Sequence, residues 1–108
     1  MMRLQSDLLP LLQQAAAGDL QANSLQFDPR IALGVVIAAG GYPGSYDSGD
    51  AISGLDKNLE DTKVFHAGTR MENDAVVTAG GRVLCVVGLG DTAAVSYTHL
   101  TLPTNCVV

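Results

Sequence analysis

Two apolar runs rich in β-branched residues constrain the fold of this chain more than any other feature of its sequence. They span residues 31–39 (IALGVVIAA) and 81–90 (GRVLCVVGLG). The first is too short for a buried helix and a glycine follows it, so we interpret it as a buried strand. The second also has the composition of a strand. The sequence therefore predicts a domain built mainly from β-strands.

Two further strands are predicted between these two runs. KVFHAGT spans residues 63–69, and AVVT spans residues 75–78 after a turn at 72–74. The link from 75–78 to the last strand contains Gly80 and Gly81. We expect a hairpin there, because glycine adopts a positive φ without steric cost.

A helix is predicted over residues 4–17, ahead of the strands. Its leucines recur at helical spacing, and Gly18 is a natural C-terminal stop. Pro10 conflicts with a start at Leu4, because proline removes a backbone hydrogen bond inside a helix. Two alternatives follow: the helix begins later than residue 4, or it kinks at Pro10.

Length and composition limit the class of protein. The chain has 108 residues, of which 47% are hydrophobic and 16% charged, as expected for one folded domain. Its net charge of -5 argues against a nucleic-acid surface. Cys85 and Cys106 form no CxxC pair, which favours a reducing cytoplasm. No signal-peptide pattern and no run of about 20 apolar residues is present, so no membrane partner is expected.

The C-terminal segment 95–108 breaks the pattern. It has no charged residue in 14 positions and is expected to interrupt a helix that Asp91 and Thr92 open. We interpret it as a non-native tail and exclude its histidine, tyrosine and cysteine from any site. The alternative is a native terminal strand.

Four motifs in one order carry a family resemblance. They are RLQSDLL at 3–9, LGVVIAAGGYPGSYDSGD at 33–50, KVFHAGT at 63–69 and VVTAGGRVLCVVGLGDTAA at 76–94. Together they resemble the C-terminal portion of the phosphoribosylamine–glycine ligases, which belong to the ATP-grasp superfamily. The likeness covers residues 2 to 94.

The resemblance implies a fold and a division of the chain. The fold is α+β and mainly β, with an N-terminal helix followed by a truncated, barrel-sandwich-like domain. Residues 1–18 would end the ATP-grasp domain, and residues 19–94 would form an incomplete C-terminal β domain. We expect the last helix and the terminal strand of the family to be missing after Ala94.

The resemblance also implies an activity. The family joins glycine to 5-phosphoribosylamine with ATP, through an acyl phosphate, in cytoplasmic purine biosynthesis. Its ATP and magnesium positions are expected upstream of Met1, so we predict that this fragment is inactive by itself. No catalytic residue and no metal ligand is assigned to the chain.

The turn after residue 39 is the first candidate substrate-binding segment. It contains Gly40, Gly41, Tyr42 and Pro43. Local chemistry favours a tight turn that closes a strand. The resemblance favours a second role, in which the glycines let backbone N–H groups approach a ligand near the cleft.

Two further groups of candidates come from the strands and the N-terminus. His66, Gly68 and Thr69 lie in the segment that faces the cleft in the family. We expect His66 to be half-buried, hydrogen-bonded and used for positioning. Arg82, beside Gly81, is the best candidate for binding an anion, because guanidinium forms a fork that suits phosphate. Arg3 is a similar candidate.

Two other functions stay open. The first is the C-terminal domain of another ATP-grasp enzyme, such as a carboxylase. The second is a small non-catalytic β module that binds a partner or carries a group. A carrier needs a lysine at a hairpin tip, and neither Lys57 nor Lys63 lies in such a turn.

Overall fold

The computed structural model describes residues 1–21, 25–57 and 59–101, and for residues 99–101 it describes the backbone alone. In chain order the elements are α1 (Leu8–Ala17), β1 (Ile31–Ala38), β2 (Thr62–His66), β3 (Thr69–Glu72), β4 (Ala75–Thr78), β5 (Arg82–Gly90) and α2 (Ala93–Thr101). This confirms the mainly β architecture with a helix at its N-terminus. The strands form two separate sheets that do not close into a barrel.

Strand β5 is the centre of the larger sheet. The strand order is β1-β5-β2, and both pairings are antiparallel. Its residues Val83, Leu84 and Val86 are at most 1% exposed, and Val83 and Leu84 form a buried cluster with Ala39 against which further apolar side chains pack: Ile37, Ile52, Leu55 and Val64. Strands β3 and β4 form a separate two-stranded sheet. The core of the domain therefore lies along β5.

The prediction that the strand at 31–39 is buried is wrong. Strand β1 lies at the edge of its sheet, and Val36 is 54% exposed. Only Ala39, just beyond the strand, is buried. An apolar run indicates a strand, but its burial depends on which elements cover its two faces and its outer edge.

The segment predicted as one strand at 63–69 divides into β2 and β3. The N–H groups of Ala67 and Gly68 both donate to the carbonyl oxygen of Val83, at 3.0 Å each. This shared acceptor turns the chain out of the larger sheet. The residues that follow then pair with β4.

The hairpin predicted at Gly80 and Gly81 is also wrong. Strand β4 pairs with β3, whereas β5 pairs with β1 and β2, so the two glycines connect different sheets. Neither glycine has a left-handed φ. The hairpin lies instead at the predicted turn at 72–74, where Asn73 and Asp74 have φ values of 50° and 62°.

Helix α1 begins at Leu8, four residues later than the leucine spacing predicts. The Asp7 side chain caps it by accepting a hydrogen bond from the Leu9 N–H at 3.3 Å. Pro10 therefore falls in the first turn, where its missing N–H costs nothing. Leu4 instead forms an isolated bridge with Phe27. The helix ends at Gly18 as predicted, in a left-handed cap.

Helix α2 continues to Thr101, so the expectation that residue 95 interrupts it is wrong. Ser96 is fully buried, and its hydroxyl contacts the carbonyl oxygens of Ile31 at 3.0 Å and Thr92 at 3.1 Å. These contacts hold α2 against the sheet. The rest of the predicted tail, 102–108, lies outside the described residues. No described helix is long and apolar enough to cross a membrane.

An ion-pair cluster around Arg30 joins the segment before β1 to the segment before β2. Its guanidinium donates to both carboxylate oxygens of Asp28 at 2.8–3.1 Å and contacts Asp61 Oδ1 at 2.9 Å. The hydrogen bonds from Arg30 hold the pKa of Asp28 below its ordinary value of 3.8. The same carboxylates raise the pKa of Arg30.

This cluster predicts how stability depends on pH. A carboxyl whose pKa is lowered by folding stabilises the protein above its unfolded pKa, and that contribution is lost as the pH falls through the folded pKa. We expect the urea midpoint of the wild-type chain to fall as the pH drops below about 4. Arg30→Ala should lower the midpoint at pH 7 and flatten this acid dependence.

A matched control for this measurement is Arg70→Ala. The Arg70–Glu72 pair has both side chains 49% exposed, and such surface pairs contribute little to stability. The control should follow the wild-type profile. If Arg30→Ala has the same pH profile as the wild type, the Asp28 ion pair does not stabilise the fold.

Candidate functional site

Three segments that are distant in sequence meet at one end of the larger sheet. The Ala39 N–H donates to the Gly81 carbonyl at 2.8 Å, and the Ala79 N–H donates to the Gly68 carbonyl at 2.8 Å. These bonds join the turn after β1, the bend between β2 and β3, and the link from β4 to β5. We call Tyr42 together with residues 67–68 and 79–82 the glycine corner.

Close backbone contact explains one of the glycines in this corner, Gly68. A Cβ atom at Gly68 would lie 2.6 Å from the Arg82 carbonyl oxygen and 3.0 Å from Gly80 Cα. Both neighbours are backbone atoms, which have little freedom to move away. Only glycine therefore fits at position 68 while the two segments remain in contact.

Gly81 is required for a different contact, with an aromatic ring. A Cβ atom there would collide with Tyr42 Cδ2. The Tyr42 ring also lies beside that of Tyr46, with centroids 6.2 Å apart and planes tilted by 58°. This geometry is typical of aromatic pairs. The absence of a side chain at Gly81 therefore lets Tyr42 lie directly over the backbone.

The glycine corner borders an open cavity of about 590 Å³. Val36, Leu84 and Cys85 line its apolar side. Among the described residues, Arg82 is the one charged residue that lines it, and Arg82 forms no ion pair with any of the others. The cavity therefore presents an unneutralised guanidinium in a chain whose net charge is -5.

Two backbone donors belong to the residues that come directly before Arg82 in the chain. In the described part of the chain, the N–H groups of Gly80 and Gly81 donate to no protein acceptor. Successive N–H groups beside an arginine suit an anion such as phosphate or carboxylate. These groups are of the kind that can bind an anion.

The turn after β1 has a structural requirement of its own. Gly41 has a φ of 94°, and a Cβ there would collide with the Ser45 carbonyl oxygen. Gly40 has no such neighbour within 4 Å. Pro43 follows Tyr42 through a cis peptide bond and does not line the cavity. Of this turn, the structure brings only Tyr42 to the glycine corner.

His66 and Thr69 pair with each other. His66 Nδ1 lies 2.9 Å from Thr69 Oγ1, which confirms that the histidine is hydrogen-bonded. The expected half-burial is wrong, because His66 is exposed on edge strand β2. It lines a second cavity of about 540 Å³, which does not include Arg82.

Arg3 lies apart from both cavities. Its Nε donates to the Asp28 carbonyl oxygen at 3.0 Å, which ties the N-terminal segment to the residues before β1. It lines a third cavity, of about 480 Å³, whose walls include Leu4 and Phe27. The structure therefore does not bring Arg3 to Arg82.

The sequence analysis does not identify three small residues of the glycine corner that line its cavity: Ala67, Ala79 and Gly80. The adjacent glycines at 80–81 are a sequence signal for a close approach of the backbone, but local turn chemistry favours a hairpin there. No three His, Cys, Asp or Glu side chains in the described part of the chain come together in a way that could hold a metal ion.

The fold is that of a ligase C-terminal domain, as comparison with known proteins shows. The family model of the phosphoribosylglycinamide synthetase C domain matches residues 32–101. The chain belongs to this family. The match includes the whole glycine corner and helix α2.

The relatives and a solved structure carry the same name. The phosphoribosylamine–glycine ligase of Vibrio cholerae serotype O1 is 57% identical over 93 residues, covering 85% of this chain and 22% of the relative. That of Escherichia coli O157:H7 is 54% identical over 96 residues, covering 87% and 22%. The crystal structure of the Thermotoga maritima enzyme aligns with a TM-score of 0.72 at 26% identity, covering 89% and 23%.

These matches confirm the resemblance that the four motifs indicate. They also show its extent, because the chain spans just over a fifth of the length of each of these ligases. The region of similarity is the C domain.

Proposed function

We propose that this chain acts as the C-terminal domain of a phosphoribosylamine–glycine ligase. That enzyme joins glycine to 5-phosphoribosylamine with ATP in purine biosynthesis. The observation that carries the proposal is the 57% identity over 93 residues to the Vibrio cholerae ligase. The family match over 32–101 supports it, since it includes every residue of the glycine corner.

Within this function, we assign the glycine corner to substrate binding. Arg82 would form the charged contact with a phosphate or carboxylate, and the N–H groups of Gly80 and Gly81 would donate beside it. Tyr42 would contact the ligand from its place in the lining of the same cavity. Gly68 would keep the two backbone segments close enough to hold this arrangement.

The remaining candidates form an outer part of the proposed substrate-binding set. His66 and Thr69 would position the segment that leads into the corner. The others contribute through the turn after β1 and through the N-terminal segment: Gly40, Gly41, Pro43 and Arg3.

The division of the chain forms part of the same proposal. Residues 1–18 would belong to the end of an ATP-grasp domain and residues 19–94 to the C-terminal β domain. Residues 95–108 would be a non-native tail, of which the first part completes helix α2. The hydrogen bonds of Ser96 make that helix part of the folded structure whatever the origin of its sequence.

Magnesium fits poorly to the residues described. No acidic cluster that could hold a metal is formed among them, so we assign no magnesium ligand to this chain. When bound elsewhere in the ligase, ATP supplies the phosphoryl group that activates the glycine carboxylate. We propose a cytoplasmic setting, which suits the free thiol of Cys85, and we expect the chain alone to be inactive.

A domain exchange tests the proposal. Residues 4–101 would replace the matching segment of the Escherichia coli O157:H7 ligase, and formation of glycinamide ribonucleotide would be measured. We expect an active chimera. Arg82→Gln in the chimera should lower kcat/KM by about 10- to 100-fold, because a charged hydrogen bond is worth about 1.5–3 kcal/mol.

Two variants of the chimera make the result specific. Arg82→Lys keeps the charge but loses the fork and should give an intermediate loss. Arg70→Gln removes a cation paired with Glu72, which lies outside the corner, and should leave the rate unchanged. A folded but inactive chimera would contradict the ligase proposal. An active chimera that tolerates Arg82→Gln would contradict only the assignment of the corner.

A further inference from the structure

The larger sheet has two edges, and strand β1 forms one of them while strand β2 forms the other. In the described part of the chain, no backbone hydrogen bond joins a further strand to the outer side of β1. An edge of this kind presents N–H and C=O groups to which another strand can add. Whether a strand adds there depends on how the edge is protected.

Strand β2 carries the features with which proteins commonly block such pairing. It is only five residues long, and Lys63 is its second residue. Lys63 forms no ion pair with a described residue. A short strand and a lysine both disfavour pairing between edges, because an added strand would have to desolvate the charge. The β2 edge is therefore protected.

Strand β1 lacks this protection over most of its length. It has eight residues, none of them charged and none a proline. Its register with β5 shifts between Ile37 and Ala38, and at its other end the Ile31 carbonyl accepts a hydrogen bond from the Ser96 hydroxyl. Residues 32–37 (ALGVVI) lie between these points, and we call them the open edge. Six-residue segments of high β-propensity without charge or proline are the type that pairs with copies of itself.

The side chains of the open edge are accessible as well as its backbone. Val35 is 38% exposed and Val36 is 54% exposed. The two point to opposite faces of the sheet, because successive residues of a strand alternate. A strand added beside β1 would therefore cover apolar surface on both faces, in addition to forming hydrogen bonds with the backbone.

Charge and symmetry favour a second copy of this chain as the source of the added strand. The net charge is -5, so two copies repel each other wherever their acidic surfaces meet. No charged residue occurs between Ile31 and Tyr46, so the open edge lets two copies approach with little repulsion. Two identical strands that pair antiparallel about a two-fold axis are also self-complementary.

We propose that two copies of this chain associate by antiparallel pairing of their open edges. The pairing would join two three-stranded sheets into one six-stranded sheet, in the order β2-β5-β1-β1-β5-β2. Six residues of strand span about 20 Å, so the contact is smaller than the roughly 1,200 Å² at which stable interfaces begin. We therefore expect a weak dimer, with a Kd on the order of 100 μM.

Sedimentation equilibrium of the full chain in a reducing buffer tests this inference, at concentrations from about 10 μM to about 1 mM that bracket the expected Kd. Val35→Lys and Val35→Glu each place like charges near the two-fold axis, and each should raise the Kd by about tenfold or more. An equimolar mixture of the two variants should associate with a Kd within about threefold of the wild-type value, because opposite charges then meet. A mixture that associates no better than either variant alone would overturn the proposal.

The matched control is Phe65→Lys. Phe65 is 39% exposed, as Val35 nearly is, but it lies in β2 at the opposite edge of the sheet. This variant should change the Kd by less than about twofold, since it is distant from the open edge. Equal weakening by Phe65→Lys would contradict pairing through β1, because it would assign the contact to the face of the sheet or to the β2 edge.

Hydrogen exchange of the wild-type chain provides a measurement that depends on no substitution. The outward N–H groups of residues 32–37 should exchange more slowly as the concentration rises, while those of β2 should not change. Protection of residues 32–37 that is the same at all concentrations would refute the dimer, because a segment of the same chain would then cover the edge. Neither measurement involves catalysis or a ligand, so a negative result would leave the ligase proposal intact.

Discussion

Gly68→Ala is expected to destabilise the chain by about 2–3 kcal/mol, as overpacking does where the surroundings cannot relax. The added methyl group would lie 2.6 Å from the Arg82 carbonyl oxygen and 3.0 Å from Gly80 Cα. Relief requires the bend after β2 to separate from the link before β5. The hydrogen bond from the Ala79 N–H to the Gly68 carbonyl, at 2.8 Å, opposes this movement. Urea unfolding followed by circular dichroism measures the loss.

The matched control is Gly40→Ala. A Cβ atom at Gly40 meets nothing within 4 Å, and its φ is not left-handed. The free energy of unfolding should therefore stay within about 0.5 kcal/mol of the wild-type value. If the two variants unfold at the same urea concentration, the segments of the glycine corner are not in the contact described.

The same substitution in the domain exchange connects this prediction to function. Gly68→Ala should reduce ligase activity together with stability, since it moves Arg82 relative to Gly80 and Gly81. Gly40→Ala tests the outer part of the proposed substrate-binding set, and unchanged activity would limit the contribution of the turn after β1 to Tyr42. Loss of activity in a Gly40→Ala chimera of normal stability would extend the substrate contacts to that turn.

Gly90→Ala is the second substitution with a large expected effect, again about 2–3 kcal/mol. Its Cβ would lie 2.5 Å from the Ser96 backbone nitrogen, 2.9 Å from Ser96 Oγ and 3.0 Å from the Val95 carbonyl carbon. Helix α2 would have to move away from the sheet. That movement would also break the hydrogen bond from Ser96 Oγ to the Ile31 carbonyl. Thermal unfolding of the full chain measures the effect.

Gly34→Ala is the control within the same sheet. Its Cβ would lie 3.3 Å from Cys85 Sγ and 3.5 Å from Val87 Cγ2, both of which are side-chain atoms. The cost of this small rearrangement is offset because the unfolded chain has less conformational entropy with alanine than with glycine, a difference worth about 0.5–1 kcal/mol. We expect a melting temperature near that of the wild type.

These two glycine variants also test the interpretation of the C-terminal segment. If residues 95–101 were an unattached appendage, Gly90→Ala would behave like Gly34→Ala. A large difference would show that the first part of the segment packs as α2 does here, on β5 and β1. The domain boundary at residue 95 would then lie inside a structural element.

The candidate site was only partly predictable. Arg82, Gly81, Gly68 and Tyr42 come from three motifs, and they meet at one cavity. His66, which stands two residues before Gly68, lines a different cavity. His66 and Gly68 are close in sequence but do not share a cavity, because the bend at Ala67 and Gly68 directs the chain into the second sheet.

The sequence by itself determined those features of the fold that depend on residues close together along the chain. The strands at 75–78 and 82–90, the turn at 72–74 and the end of α1 at Gly18 all follow from local composition and turn chemistry. Only the tertiary structure decided which strands pair. It placed β5 between β1 and β2, so the apolar run of β1 lies at an exposed edge. It also decided that Gly68 and Gly81 are required for contact rather than for a turn. Pairing and close approach depend on residues far apart in the chain, and no local pattern specifies them.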